Sequence, residues 1–177
     1  MTSKVNIKKI FNNTNYCFIC GKKFIKKDNP IICYKCKYHH YIGPKPTNAA
    51  ILINNNNEIL LVKRRITPKK NYWDLPGGFI NINENIEQSI EREIEEEISA
   101  KIKNLQYFTS VFDSYIYRNI YFATICMIFT GKISNEKIKL ADDVSQIKFF
   151  KQKDIPYKRI AFTSLIEPIK KFMDFKK

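Results

Sequence analysis

Glu93, Glu96 and Glu97 are spaced i, i+3 and i+4, so on a helix their carboxylates gather on one face. On an isolated helix, like charges at this spacing repel by about 0.2–0.5 kcal/mol per pair, and a divalent cation reverses that sign. Oxygen ligands on one rigid element suit Mg²⁺ or Mn²⁺, which complete their shells with water and phosphate oxygens. Arg92 lies one turn before Glu96 and is placed to hold its carboxylate. The element that must carry these residues is legible. Asn85 with Gln88 three residues later makes a capping box, and Ile86, Ile90, Ile94 and Ile98 recur every four residues as a buried stripe. Just upstream, Pro76-Gly77-Gly78 ends a strand in a loop that exposes backbone groups. A solvated acidic helix face explains Glu87, Glu91 and Glu95 but leaves that loop unexplained.

A second constellation is made of sulfur. Cys17-x-x-Cys20 and Cys33-x-x-Cys36 are separated by twelve residues. Each pair can form a tight knuckle that turns two thiolates toward one ion, and Gly21 supplies the positive φ that a knuckle needs. The spacing predicts a structural Zn²⁺, closed by four sulfurs and therefore not catalytic. Too few apolar residues surround the site for an independent core, so metal binding supplies much of its folding free energy. His39 and His40 are candidate substitute ligands or phosphate contacts, with packing as the simpler role. Residues 1–43 carry nine lysines against Asp28, interleaved with Phe18, Phe24, Tyr34, Tyr38 and Tyr41. Such a surface can stack and neutralise a nucleic-acid strand, or dock on a partner domain. Pro44-Lys45-Pro46 reads as a stiff connector, so the expected domains are a zinc ribbon at 1–43 and a larger domain at 44–177.

In the larger domain, apolar runs at 49–53 and 58–64 flank Asn54 to Asn57 and predict a hairpin. Residues 110–117 and 119–130 predict two more strands, with Cys126 as a small apolar residue inside the second. A short strand is expected at 147–150. A helix is expected from Ser164 to about Phe175, with Ser164 and Glu167 as its capping box.

The 177 residues carry 31 basic and 17 acidic side chains, a net charge of +14. Lys, Asn and Ile dominate the composition and have A/T-rich codons, so coding bias accounts for much of that charge. Seven acids nevertheless fall between Glu84 and Glu97, where Arg92 is the sole base. An acidic cluster inside a basic shell is what a cation site serving an anionic substrate requires. With 44% hydrophobic residues the chain can bury a core, which argues against disorder. No apolar run reaches a membrane span, and the first sixteen residues resemble neither a secretory signal nor an Arg-rich transit peptide. The expectation is a cytoplasmic protein without membrane contact, of undetermined oligomeric state.

The stretch from Gly78 resembles the Nudix box. Its positions are filled by Gly78, Glu84, Arg92-Glu93-Ile94-Glu95-Glu96-Glu97 and Ile98-Ser99-Ala100, with Ser99 where the family has the Gly that ends the helix. A non-glycine residue in the left-handed conformation costs about 1 kcal/mol or shifts the helix end. The likeness extends to the Leu60–Arg65 strand, to Trp73–Gly78, and to Asp142-Asp143 before 147–150. Coupled to a four-cysteine ribbon, it resembles the branch that includes NADH pyrophosphatases, although the proline-rich array of NADH enzymes is absent and the only Trp is Trp73. The resemblance implies an α/β fold, a Nudix α/β/α sandwich with a mixed sheet preceded by the zinc ribbon. It also implies Mg²⁺-dependent hydrolysis of a nucleoside diphosphate linked to another group. Carried over by position, Gly77 offers its carbonyl to a metal, and Glu93, Glu96 and Glu97 are ligands, one of which orients or deprotonates water. Arg92 organises them, Glu84 stands behind them, Arg64 and Arg65 are candidates to hold phosphate, and Asp142 or Asp143 are candidates for acid–base duty.

The competing readings are a small-molecule pyrophosphohydrolase (ADP-ribose, FAD, a dinucleotide or a nucleotide sugar), an RNA 5′-end hydrolase suggested by the basic ribbon, and a non-enzymatic binding module. The complete set of box glutamates argues against the last.

Overall fold

The computed structural model describes residues 14–118, 120–133, 138–139 and 143–175. The chain divides into two compact units, one of Met1–Lys45 with Ser114–Ala123 and the other of Pro46–Asp113 with Thr124–Lys177. In the first, Ile31–Ile32 (β1) pairs antiparallel with His39–His40 (β2), and an isolated bridge joins Tyr16 to Lys23. Its core is small: Cys17, Phe24, Ile31 and Cys33, with Cys20 and Ile42 packed against them.

The larger unit is organised by a sheet whose central strands are apolar on both faces over 49–53 and 59–62, the signature of a sheet covered on both sides. Its strands are Lys45–Ile53 (β3), Ile59–Arg64 (β4), Trp73–Asp74 (β5), Lys103–Tyr117 (β6), Ile120–Lys132 (β7) and Val144–Phe150 (β8), with the β6 end and the β7 start falling in the smaller unit. The sheet runs β5-β4-β3-β7-β6, with β8 antiparallel to β4 along its whole length. A parallel bridge between Trp73 and Ile160 makes the pairing mixed. Successive side chains on a strand point to opposite faces. Ala49, Ile51, Ile53, Ile59 and Leu61 therefore enter one core, and Ala50, Leu52, Leu60 and Val62 the other. The helix Ile86–Ile98 (α1) seals the second core with Ile90, Ile94 and Ile98. The helix Ile166–Phe175 (α2) seals the first with Ile169, Phe172 and Met173. The result is the α/β/α sandwich.

Three local outcomes differ from the sequence reading. The strand β6 begins at Lys103, seven residues before the propensity signal, and β8 begins at Val144. Thr163–Leu165 is a 3-10 turn, so α2 starts at Ile166. Ser164 forms no capping box: its hydroxyl donates to Asp113 Oδ2 at 2.6 Å, and a side chain engaged by tertiary structure cannot also serve the helix end.

Candidate active site

The Pro76–Phe79 loop is fastened to β3. Ala50 N–H donates to Pro76 O and Asn48 N–H to Gly78 O, both at 2.9 Å, and Thr47 bridges to Phe79. Gly77 has φ +142, and a Cβ on it would run into the β3 backbone at Asn48 and Ala49. Gly78 is small for another reason. A Cβ there would sit 2.5–2.6 Å from the carboxylate of Glu93, so its missing side chain is the space that Glu93 occupies. The buried amide of Asn48 ties loop to helix, with Nδ2 donating to Ser89 Oγ at 2.8 Å and Oδ1 accepting from Gly78 N–H at 3.3 Å.

The helix begins as its sequence dictates. Asn85 accepts from Gln88 N–H, Gln88 accepts from Asn85 N–H, and the capping box is complete. At the other end Ser99 adopts the left-handed conformation (φ 51, ψ 45) and donates its N–H to Glu95 O at 2.9 Å. The cap geometry survives without glycine.

Arg92 is the hub of the acidic face. Its Nε and Nη2 grip both oxygens of Glu84 at 2.9 and 2.7 Å, and Nη1 donates to Glu93 Oε1 at 2.9 Å and Glu96 Oε2 at 2.8 Å. Nη2 also reaches Phe79 O at 3.1 Å. Bidentate, charge-assisted bonds of this kind are strong and orientating. They hold the Glu84 carboxyl down to about 2, with help from Asn81 N–H. Glu97 is treated differently. It accepts from Gly77 N–H at 3.0 Å, and desolvation, reinforced by the charges of Glu93 and Asp74, pushes it up to about 8. Desolvation also raises Glu93, against the pull of Arg92. Glu84, in the turn before α1, is thus locked in its ionised form, while Glu97 on the helix is poised to take up a proton.

The other candidates divide. Arg64 is engaged within the fold: Nη1 bonds Asp74 Oδ2 at 2.8 Å, Nε bonds Pro68 O at 2.8 Å, and the guanidinium lies 5.3 Å from the Phe162 ring. Arg65 is exposed, and its N–H donates to the carbonyl of Asp143, itself an exposed turn residue. Asp142 lies outside the described residues. Asn48, Ser89 and Asp74 were not anticipated. The signal for Asn48 was an amide directly before an apolar strand run, and for Ser89 a small polar residue directly before Ile90 of the buried stripe. Asp74 is buried, and desolvation lifts it to about 6 against the salt bridge from Arg64.

The four cysteines are brought together, with Sγ atoms all within 4.8 Å of one another. Cys17 to Cys36 and Cys20 to Cys33 are each 3.6 Å, close to the edge of about 3.8 Å that four Zn–S bonds of about 2.3 Å define. Backbone N–H groups of Cys36 and Lys35 draw the Cys33 thiol below its usual range, while burial and the neighbouring sulfurs push Cys36 above it. It is the convergence of the four sulfurs, rather than these shifts, that fits a metal. His40 is buried rather than a fifth ligand. Its Nε2 lies 3.2 Å from Cys17 Sγ and its ring is edge-packed by Phe18, Phe24 and Tyr38, whereas His39 is exposed.

The NUDIX domain family matches residues 44–171. The chain is 32% identical over 144 residues to the ADP-ribose pyrophosphatase of Methanocaldococcus jannaschii, covering 80% of this chain and 78% of that one. Among solved structures it is similar to a NUDIX hydrolase from Nitrosomonas europaea, with a TM-score of 0.72 and 28% identity over 90% of each chain. It is also similar to the bifunctional NMN adenylyltransferase/ADP ribose pyrophosphatase of Francisella tularensis, solved with AMP and a Mn ion. There the TM-score is 0.58 and the identity 25%, over 76% of this chain and 42% of that one. A glycine loop strapped to β3, a capped helix presenting glutamates around one arginine, and a family match over most of the length agree: this chain belongs to the NUDIX family of hydrolases.

Proposed function

We propose that the protein hydrolyses the diphosphate bond of a nucleoside diphosphate linked to another moiety, releasing a nucleoside monophosphate, with Mg²⁺ or Mn²⁺ as cofactor. The observation that carries this is the set of carboxylates on one helix face, Glu93 and Glu96 both bonded by Arg92 and Glu97 bonded by Gly77 N–H, beside a loop to whose Gly77 carbonyl we assign a further donor role. Hard oxygen donors on rigid elements fit such a cation, which when bound supplies charge neutralisation of the diphosphate and activation of water. Glu97 has Oε2 taken by Gly77 N–H. Its other oxygen receives the proton as a water oxygen attacks phosphorus and the P–O–P bridge breaks toward the leaving phosphate. Arg92 keeps Glu93 and Glu96 from splaying, and Glu84 keeps Arg92 in register. The 32% identical relative named an ADP-ribose pyrophosphatase supports ADP-ribose as the first substrate to try, ahead of FAD, dinucleotides and nucleotide sugars.

We further infer that Cys17, Cys20, Cys33 and Cys36 hold one structural Zn²⁺. A ribbon of residues 1–43 followed by a domain at 44–177 is the arrangement that supports reading the chain as a member of the zinc-ribbon branch. A capped or diphosphorylated RNA 5′ end is the second substrate reading, favoured by the charge of the smaller unit.

The test is incubation with Mg²⁺ and a panel of ADP-ribose, NADH, FAD, diadenosine polyphosphates, nucleotide sugars and 5′-capped RNA, with products read by mass spectrometry. A nucleoside monophosphate from a panel member, with kcat lowered about 10²–10⁴-fold in Glu97→Gln, is expected. No cleavage in zinc-loaded, folded protein, or full activity in Glu97→Gln, would overturn the proposal.

A further inference from the structure

The charge of the chain is distributed between the two units far more unequally than codon usage can explain. The smaller unit, Met1–Lys45 with Ser114–Ala123, holds eleven basic residues against one acid, Asp28. The larger holds twenty basic residues against sixteen acids. Asp28 is itself paired with Lys26 at 2.6 Å. A coding bias acts along the whole sequence and would not strip acids from one unit.

Within that same unit lies a pocket of about 480 Å³, in the size range of small-ligand sites. One wall is the ribbon, with Phe18, Tyr38 and Tyr41; the other is the hairpin tip, with Tyr121 and Phe122, and Lys45 stands beside it. The aromatic wall is stiff. Phe18 lies edge-on to Tyr38 and His40 at 5.4 and 4.5 Å, and His40 is anchored on Cys17 Sγ. On the other side Phe122 stacks on Tyr115 at 5.6 Å and 11°, with Lys45 Nζ 5.9 Å from its ring. Even so, Phe18 is 74% and Tyr41 77% exposed. Large aromatic surface held rigid and left in water has no folding rationale.

We propose that this pocket binds an unpaired base of a single-stranded nucleic acid, with Lys45 beside it and the other basic residues of the unit supplying the charge for the flanking phosphates. Stacking is tolerant of base identity because every base has a π-face, and it needs the base unpaired, so a single strand rather than a duplex fits. An acidic peptide satisfies the lysines but leaves the aromatic pocket without a partner. An anionic membrane surface asks for apolar side chains on a protruding apex, whereas these line a concavity. The proposal is independent of which anhydride the larger unit cleaves.

Fluorescence anisotropy of labelled ten-nucleotide RNA and DNA, on the full-length zinc-loaded protein without added Mg²⁺, tests it. Binding is expected to weaken with salt at a log–log slope of about −3, as for roughly four phosphates on a single strand. Tyr41→Leu and Phe18→Leu should each weaken it about tenfold, while Tyr41→Phe keeps wild-type affinity. Zinc content and thermal midpoint confirm that the variants are folded; Tyr41 is exposed enough for its substitution to spare the fold. Four results would overturn the proposal. They are no binding, salt-sensitive binding indifferent to both Leu variants, AMP binding as tightly as the ten-mer, or preference for phosphatidylserine vesicles over the oligonucleotides.

Discussion

Two candidate metal sites, the four cysteines and the glutamates of α1, are assembled in opposite ways. The four cysteines sit on two knuckles that face each other, with sulfurs 3.6 Å apart from Cys17 to Cys36 and from Cys20 to Cys33 and only a small apolar core behind them. The glutamates are displayed by a helix that an extensive core already holds in place, with Arg92 bonded to both Glu93 and Glu96 and the Gly77 N–H to Glu97. On the proposed reading, a Zn²⁺ in the first would be a structural member standing in for a core. At the second the fold stands without an ion, and a bound cation would keep positions open to water and substrate. Softness and closure go with structure, hardness and openness with chemistry.

Metal removal is the severest way to break that contrast. Stripping zinc, or Cys33→Ser, should remove about 10 kcal/mol of folding free energy from the smaller unit and abolish hydrogen-exchange protection of β1 and β2. Withholding Mg²⁺ should leave the protection of α1 and the sheet unchanged. Amide exchange followed by mass spectrometry reads both. A ribbon that stays protected without metal would show that Phe24 and Ile31 suffice as a core.

Gly78→Ala sharpens the other half. Its Cβ would occupy the space of the Glu93 carboxylate, so kcat should fall about a hundredfold while the thermal midpoint moves little. Steady-state kinetics beside a melting curve separate these effects, and an unchanged kcat would mean that Glu93 has other room.

The third test uses pH. The carboxyl of Asp74 is raised in the folded protein, to about 6 from an ordinary 3.8, so between those values the native state holds a proton that the unfolded chain has lost. Stability from this group is therefore fully present below about 3.8 and is lost as pH rises through about 6, by at most about 3 kcal/mol. Asp74→Asn should remove that slope, as measured by denaturant unfolding of the two proteins at pH 4, 5, 6 and 7. Identical slopes would mean that the Arg64 pair fully offsets burial. A Zn²⁺ held by the four cysteines would give a slope of the opposite sign, because its thiols must release protons to bind, so the stability of the smaller unit should rise with pH across this window.

The smallest effect concerns the helix end. Ser99 bears a left-handed conformation suited to glycine, so Ser99→Gly should stabilise the larger unit by about 1 kcal/mol, read as a higher denaturation midpoint with kcat preserved. Loss of stability would show that the Ser side chain makes up the strain.

How much of this was legible depended on how local the cause was. The capping box at Asn85 and Gln88, the buried stripe through Ile90, Ile94 and Ile98, and the meeting of the four cysteines all follow from spacing along a few turns or a knuckle. Ser164 was misread because its hydroxyl serves Asp113, fifty-one residues away, which no local pattern encodes. Arg64 looked like a phosphate ligand beside a strand end, but its guanidinium is committed to Asp74 and the Pro68 carbonyl.

By itself, then, the sequence determined the chemistry available: which donors exist, that the hard ones share a helix face and the soft ones share two turns, and which apolar periods bury the elements carrying them. Only the tertiary structure decided how those donors are used. It strapped Gly77 and Gly78 to β3 through Asn48, made the space at Gly78 into the seat of Glu93, and set Glu84, held ionised by Arg92, against Glu93 and Glu97, raised by desolvation. It also gathered residues 114–123 into the same unit as the ribbon. The reason is physical. Periodicity and capping are set by neighbours within about a turn, whereas burial, and with it every shifted carboxyl, depends on what distant segments bring to the same place.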